Sequence, residues 1–208
     1  MDDRGPRPVR LLTLCGSLQG RSANRAALEV AAELARDAGA SIDDFDHLAE
    51  VPAFDPDHGD EPGPVVVDWR QRVAWADVLL VAAPEYAGAL AGAVKNALDW
   101  LVGSGELYRK PVGVLSAGTT GGVHARQMVA QTLTWQGAYV VAEMGIAAPR
   151  TKSDEHGRLT DAPTLAAIAA VTSELLAAPT TGADDLVRRA TTVVGTLGVD
   201  VGHVAPAG

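Results

Sequence analysis

Cysteine is all but absent from this 208-residue chain. Cys15 stands alone, which excludes an internal disulfide framework and any zinc site built from several cysteines. Basic charge is also scarce: 17 Lys and Arg against 26 Asp and Glu leave a net charge of −9. Such a field repels nucleic-acid phosphates and anionic lipid, and no Lys/Arg cluster offsets it. An acidic surface does not forbid an anionic ligand whose pocket supplies its own donors. Val9–Cys15 carries Arg10 and is far too short for a bilayer span or a signal core. These absences predict a cytoplasmic protein without nucleic-acid or membrane partners.

Several sequence signatures are lacking too. No Walker-type Gly-Lys-Ser/Thr, no Gly-x-Gly-x-x-Gly and no Gly-x-Ser-x-Gly elbow occurs, which weakens the P-loop, dinucleotide-Rossmann and serine-hydrolase readings. A phosphoacceptor receiver domain needs acidic residues after its first strand and an aspartate ending its third. This chain has Cys15-Gly16 and Ala83-Pro84 there. His47, His58, His156 and His203 are scattered without metal-ligand spacing, so no metal site is expected. His124 starts a helix near one of the loops below.

What is present is an alternation. With 47% hydrophobic and 21% charged residues, the chain has ample core material for one domain. Short apolar runs predict strands at Val9–Cys15, Ser41–Asp46, Val78–Ala83, Pro111–Ala117 and Ala138–Ile146. Amphipathic stretches predict helices at Asn24–Ala38, Val65–Ala76, Ala93–Val102, Val123–Gln136 and Ala162–Ala178. Leu79-Leu80-Val81-Ala82 and Val112-Gly113-Val114-Leu115 are apolar throughout, as strands covered on both faces must be. Right-handed crossovers then give an α/β, doubly wound, five-stranded parallel sheet of order 2-1-3-4-5 with helices on both faces. Residues 1–179 form this domain. Pro52–Pro64 reads as an exposed loop, and 180–208 as an extension with a short helix around Asp184–Leu197 and a loose tail, packed on a neighbour or on the sheet edge.

In such a sheet, ligands sit beyond the carboxyl ends of the strands. Three loops there are distinctive: Gly16-Ser17-Leu18-Gln19-Gly20-Arg21-Ser22-Ala23-Asn24-Arg25, Pro84-Glu85-Tyr86-Ala87-Gly88-Ala89, and Ser116-Ala117-Gly118-Thr119-Thr120-Gly121-Gly122. The first suits a phosphate, having glycines, side-chain donors and a following helix N-terminus, with Arg21 or Arg25 able to add charge. Capping of the helix by Ser22 and Asn24 is the competing explanation. Cys15 ends a buried strand and reads as a core residue.

These loops, with Val94-Lys95-Asn96-Ala97-Leu98-Asp99-Trp100-Leu101, resemble the NAD(P)H-dependent FMN reductase family, whose fold is flavodoxin-like. The resemblance covers the first two thirds of the chain. It implies that Ser17, Gln19, Ser22 and Asn24 hold the FMN phosphate and that Pro84, Glu85, Tyr86, Ala87 and Gly88 line the isoalloxazine and ribityl region. Ser116, Gly118, Thr119 and Gly121 would face the other edge of the flavin. The family usually has arginine where Gln19 stands, and asparagine and serine where Ala87 and Ala89 stand. Gln19 can still donate a hydrogen bond but brings no charge.

The implied activity is ping-pong electron transfer from NADPH or NADH, through FMN, to a small acceptor: a quinone, free flavin, azo compound or metal oxyanion. A homodimer or homotetramer with flavin sites near the subunit interface is implied as well. No catalytic side chain is expected, because the cofactor carries the chemistry. Glu85 is read as shaping its loop or bonding a backbone amide. Asn96 or Asp99 would tie loops together, and Trp100 and Trp135 would pack between helices or at a subunit contact. The alternative is a flavodoxin-type electron carrier without reductase turnover.

Overall fold

The central strands follow from segments that are almost wholly apolar. A computed structural model describes residues 7–200; the expected loose tail at 201–208, with His203, lies outside the described residues. The strands are β1 (Arg10–Cys15), β2 (Ser41–Phe45), β3 (Val78–Ala82), β4 (Glu85–Tyr86), β5 (Ala89–Leu90), β6 (Pro111–Gly118) and β7 (Tyr139–Ala147). The helices are α1 (Ala23–Asp37), α2 (Pro64–Trp75), α3 (Gly92–Asp99), α4 (Val123–Trp135), α5 (Ala162–Ala177) and α6 (Ala183–Thr196). Five strands form one parallel sheet ordered β2-β1-β3-β6-β7. With the β4–β5 hairpin set aside, this is the expected 2-1-3-4-5 order of a flavodoxin-like sheet.

Alternation along each central strand divides the core in two. Leu12, Leu14, Leu79 and Val81 point to one side, where they meet Trp69, Leu98 and Val129 of α2, α3 and α4. Leu11, Cys15, Leu80 and Ala82 point to the other, against α1 and α5. Gly113 is needed where α5 crosses the sheet, because a Cβ there would lie 2.8 Å from Leu80 and 3.2 Å from Leu175. The 19 residues Ala162–Thr180 reach a mean hydropathy of 1.3, long and apolar enough to cross a membrane by composition. In the fold this segment packs along α1, β6 and β7, burying Ile168, Val171 and Leu175.

Two expectations change. The helix expected at Ala93–Val102 ends at Asp99, because Gly103 and Gly105 take φ of +86° and +85° and the chain turns instead. The loop from Pro52 is pinned rather than free at its start. Asn96 Oδ1 accepts from Phe54 N–H at 2.8 Å, and the Asn96 amide and the Trp100 indole both donate to the Pro52 carbonyl. Asn96 is therefore the loop-tying residue, and buried Trp100 works with it. Helix α6 packs along the edge strand β7, covering a sheet edge that would otherwise be open to pairing.

Candidate functional site

The loop after β1 leaves the sheet through Gly16, where no side chain fits: a Cβ would stand 2.3 Å from Val94 Cγ2 and 2.9 Å from Pro84 Cδ. Ser17 follows, largely buried, its Oγ accepting from Gln19 N–H at 3.3 Å. Ser22 is the N-cap of α1, its Oγ accepting from Asn24 N–H at 3.2 Å. A hydroxyl that accepts such a bond still has its proton to donate. Asn24 behaves differently from the others. It is 4% exposed, and its amide is paired both ways with the backbone of Ala117, donating to the carbonyl at 3.1 Å and accepting from N–H at 2.8 Å. Asn24 therefore ties the first loop to the third.

After β3 the chain forms a two-residue hairpin, β4 to β5, with Ala87 at φ +52° and Gly88 at φ +72° in the turn. Positive φ at both central residues is what a tight right-twisted hairpin demands. Glycine meets this freely; alanine there is strained by about 1–2 kcal/mol. Asparagine tolerates the left-handed region better. Ala87→Asn should therefore raise the thermal midpoint by roughly 2–4 °C, about 1 kcal/mol, with flavin affinity not reduced. A lowered midpoint in thermal unfolding would contradict the strain. The hairpin is fastened at its base by Glu85, whose Oε2 accepts from the N–H groups of His124 and Ala125 at 2.8 and 3.1 Å. The carboxylate thus satisfies two unpaired donors of the α4 N-terminus and complements the helix dipole. Met128 Sδ accepts from Leu90 N–H on the other strand.

In the third loop, Ser116 is fully buried and donates to the Ala83 carbonyl at 2.6 Å. Gly121 N–H donates to Gly118 at 3.2 Å, and the Gly121 carbonyl accepts from Arg126, itself paired with Glu143.

The loops enclose a cleft of about 920 Å³. Of the residues singled out in the sequence, Ser17, Gln19, Ser22, Asn24, Pro84, Glu85, Tyr86, Gly118 and Thr119 line it. Ala87, Gly88, Ser116 and Gly121 do not: the first two make the hairpin turn, and the others hold the third loop in shape. His124 is exposed and stands outside the lining. Sequence reasoning missed the wall formed by Ala148–Thr151 and Ser153–Arg158, which follows β7. The rule about carboxyl ends applies to that strand too and was the available signal. Arg21 and Arg25 both border the cleft, but Arg25 is held 2.5 Å from Asp44. Arg21 is exposed and has no carboxylate partner among the described residues. Burial pushes the Cys15 thiol up from its ordinary value, so the group stays a protonated core side chain.

The donor set at the start of α1 fits a phosphate monoester: two hydroxyls, the Gln19 amide, a free guanidinium and first-turn N–H groups face one volume. Pro84–Tyr86 and Gly118–Thr119 line the same cleft.

Residues 9–152 match the family described as NADPH-dependent FMN reductase. An NAD(P)H-dependent FMN reductase of Pseudomonas aeruginosa is 34% identical over 160 residues, covering 74% of this chain and 85% of that protein. A quinone reductase of Escherichia coli is 30% identical over 139 residues, covering 64% and 73%. Among solved structures, a flavoenzyme NAD(P)H:(acceptor) oxidoreductase of Paracoccus denitrificans superposes with a TM-score of 0.69 at 21% identity. That match covers 87% of this chain and 98% of the other.

Proposed function

The chain belongs to the NADPH-dependent FMN reductase family, and from that premise we propose that it passes electrons from NAD(P)H to a small acceptor in two successive half-reactions at one cleft. Quinones are the leading acceptor class, as the names of its relatives suggest. FMN, when bound, supplies the redox chemistry by accepting hydride and releasing two electrons. The observation that carries this reading is the meeting of the loops after β1, β3 and β6 around a single open volume.

The chain's own residues bind and orient. Ser17, Gln19, Ser22 and Arg21 hold the phosphate at the start of α1. Asn24 acts as a positioning residue, since its amide is committed to Ala117. Pro84, Glu85, Tyr86, Gly118 and Thr119 border the ring. Ala87, Gly88, Ser116 and Gly121 shape the loops behind them. A hydride transfer to the flavin needs no protein acid or base. Tyr86 is half exposed, and Met128 and Trp135 lie exposed two helical turns apart on α4. That face supports a homodimer, or a homotetramer built from dimers, with the flavin close to the interface. A cytoplasmic setting fits the single buried thiol.

The test is spectroscopic and kinetic. Anaerobic NADPH or NADH should remove the visible flavin colour of the purified protein, and a quinone added afterwards should restore it without further nicotinamide. Initial rates should give parallel double-reciprocal lines, since both substrates use the same open face in turn. Intersecting lines would exclude the shared face. Failure of both nicotinamides to reduce the flavin would replace the reductase by an electron carrier.

A further inference from the structure

Four arginines border the cleft: Arg21, Arg25, Arg150 and Arg158. Two are already neutralised within the chain, Arg25 by Asp44 at 2.5 Å and Arg158 by Asp154 at 2.8 Å. Arg21 and Arg150 have no carboxylate partner among the described residues, although the chain holds 26 acidic groups against 17 basic ones. Arg21 lies on the phosphate loop and is accounted for by the flavin phosphate. Arg150 is left over, and FMN has only one phosphate.

The turn that carries Arg150 is hydrogen-bonded to the third loop. Ala148 takes the left-handed conformation at φ +47°, and its N–H donates to the carbonyls of Gly118 at 3.1 Å and Thr119 at 3.3 Å. Thr151 Oγ1 donates back to Ala148 at 2.9 Å, and Ser153 Oγ to Pro149 at 2.9 Å. A strained, anchored backbone thus presents an exposed, unpaired guanidinium on the cleft wall, tied directly to the loop that borders the ring.

We propose that Arg150 binds the 2′-phosphate of NADPH and so makes the enzyme prefer NADPH to NADH; this rests on the reductase reading above. The nicotinamide must reach the region between the loops after β3 and β6. The turn after β7 lies two strand positions from β3, about 10 Å away, so a group bound there belongs to a part of the dinucleotide away from the nicotinamide. The cleft of about 920 Å³ reaches from the phosphate loop to the turn after β7, so Arg150 and the start of α1 border one continuous volume. A terminal, dianionic phosphate is also what a free guanidinium fork binds best.

Arg150→Glu in the FMN-loaded enzyme should lower kcat/KM for NADPH by roughly tenfold to a hundredfold, chiefly through KM. The NADH value should stay unchanged, and Arg150→Lys should recover part of the loss. Calorimetry on the same FMN-loaded proteins should show 2′,5′-ADP binding weakened by a similar factor, with 5′-AMP unaffected. An equal loss for both nicotinamides would put Arg150 on their shared diphosphate and overturn the proposal, as would an unchanged NADPH/NADH ratio. A weakened FMN affinity would assign the residue to the flavin instead and overturn it too. If neither nicotinamide reduces the wild-type flavin, the reductase reading fails by itself; the calorimetric comparison still decides whether Arg150 holds a 2′-phosphate.

Discussion

Replacing Gly122 by valine should abolish measurable flavin binding and destabilise the fold by about 2–5 kcal/mol, a fall of roughly 5–15 °C in thermal midpoint. Gly122 sits at φ +63°, and a Cβ built on it would stand 1.9 Å from Ser116 Oγ and 2.6 Å from Ser116 Cβ. Ser116 cannot yield, being fully buried with its hydroxyl committed to Ala83. The strain of a β-branched residue in the left-handed region adds to the overlap. Relief requires the start of α4 to move, and that start is where Glu85 accepts from His124 and Ala125. The hairpin of the ring loop would lose its anchor along with the third loop. Ser116→Gly placed in the same protein should restore part of both stability and affinity, since it removes the atoms that clash. Flavin-fluorescence titration and thermal unfolding read the two effects. Wild-type affinity in the Gly122→Val protein would show that the third loop takes no part in the flavin site.

The sheet was legible because burial on both faces leaves an unbroken apolar run, as in Val78–Ala82, which a turn or an exposed strand cannot imitate. Helix α1 was legible for the complementary reason, its apolar residues recurring at helical spacing behind a serine cap. The β4–β5 hairpin escaped detection because two-residue strands have no period to read. Ala87 disguised the turn further, since asparagine-glycine would have announced it. The wall after β7 carries no motif, only a polar turn whose place over the cleft is decided by the strand before it. The end of α3 was misplaced because Trp100, Leu101 and Val102 continue the helical pattern, while the glycines just beyond decide the outcome.

Asn24 shows where local reading stops, and it supplies the sharpest pair of substitutions. In the sequence it stands beside Ser17 and Ser22 in a loop suited to phosphate, and nothing nearby separates it from them. The distinction depends on Ala117, 93 residues away, whose backbone takes both ends of the Asn24 amide. Ser17→Asp sets a carboxylate against the phosphate while keeping an acceptor for Gln19 N–H. It should weaken FMN binding by about tenfold to a hundredfold or more, with a smaller fall in thermal midpoint than Asn24→Asp, because Ser17 borders the open cleft. Asn24→Asp should do the opposite in order of severity. The substitution keeps the bond from Ala117 N–H but puts a second carboxylate oxygen against the Ala117 carbonyl in a site 4% exposed, so a buried charge has one donor and the carbonyl loses its own. The cost should be about 2–5 kcal/mol, or roughly 5–15 °C. Flavin loss in that protein should follow the loosening of the first loop from the third, so osmolytes or low temperature should recover affinity in Asn24→Asp and not in Ser17→Asp. A native midpoint with lost affinity in Asn24→Asp would return that residue to the ligand shell. A collapsed midpoint in Ser17→Asp would make the hydroxyl structural and move the phosphate elsewhere.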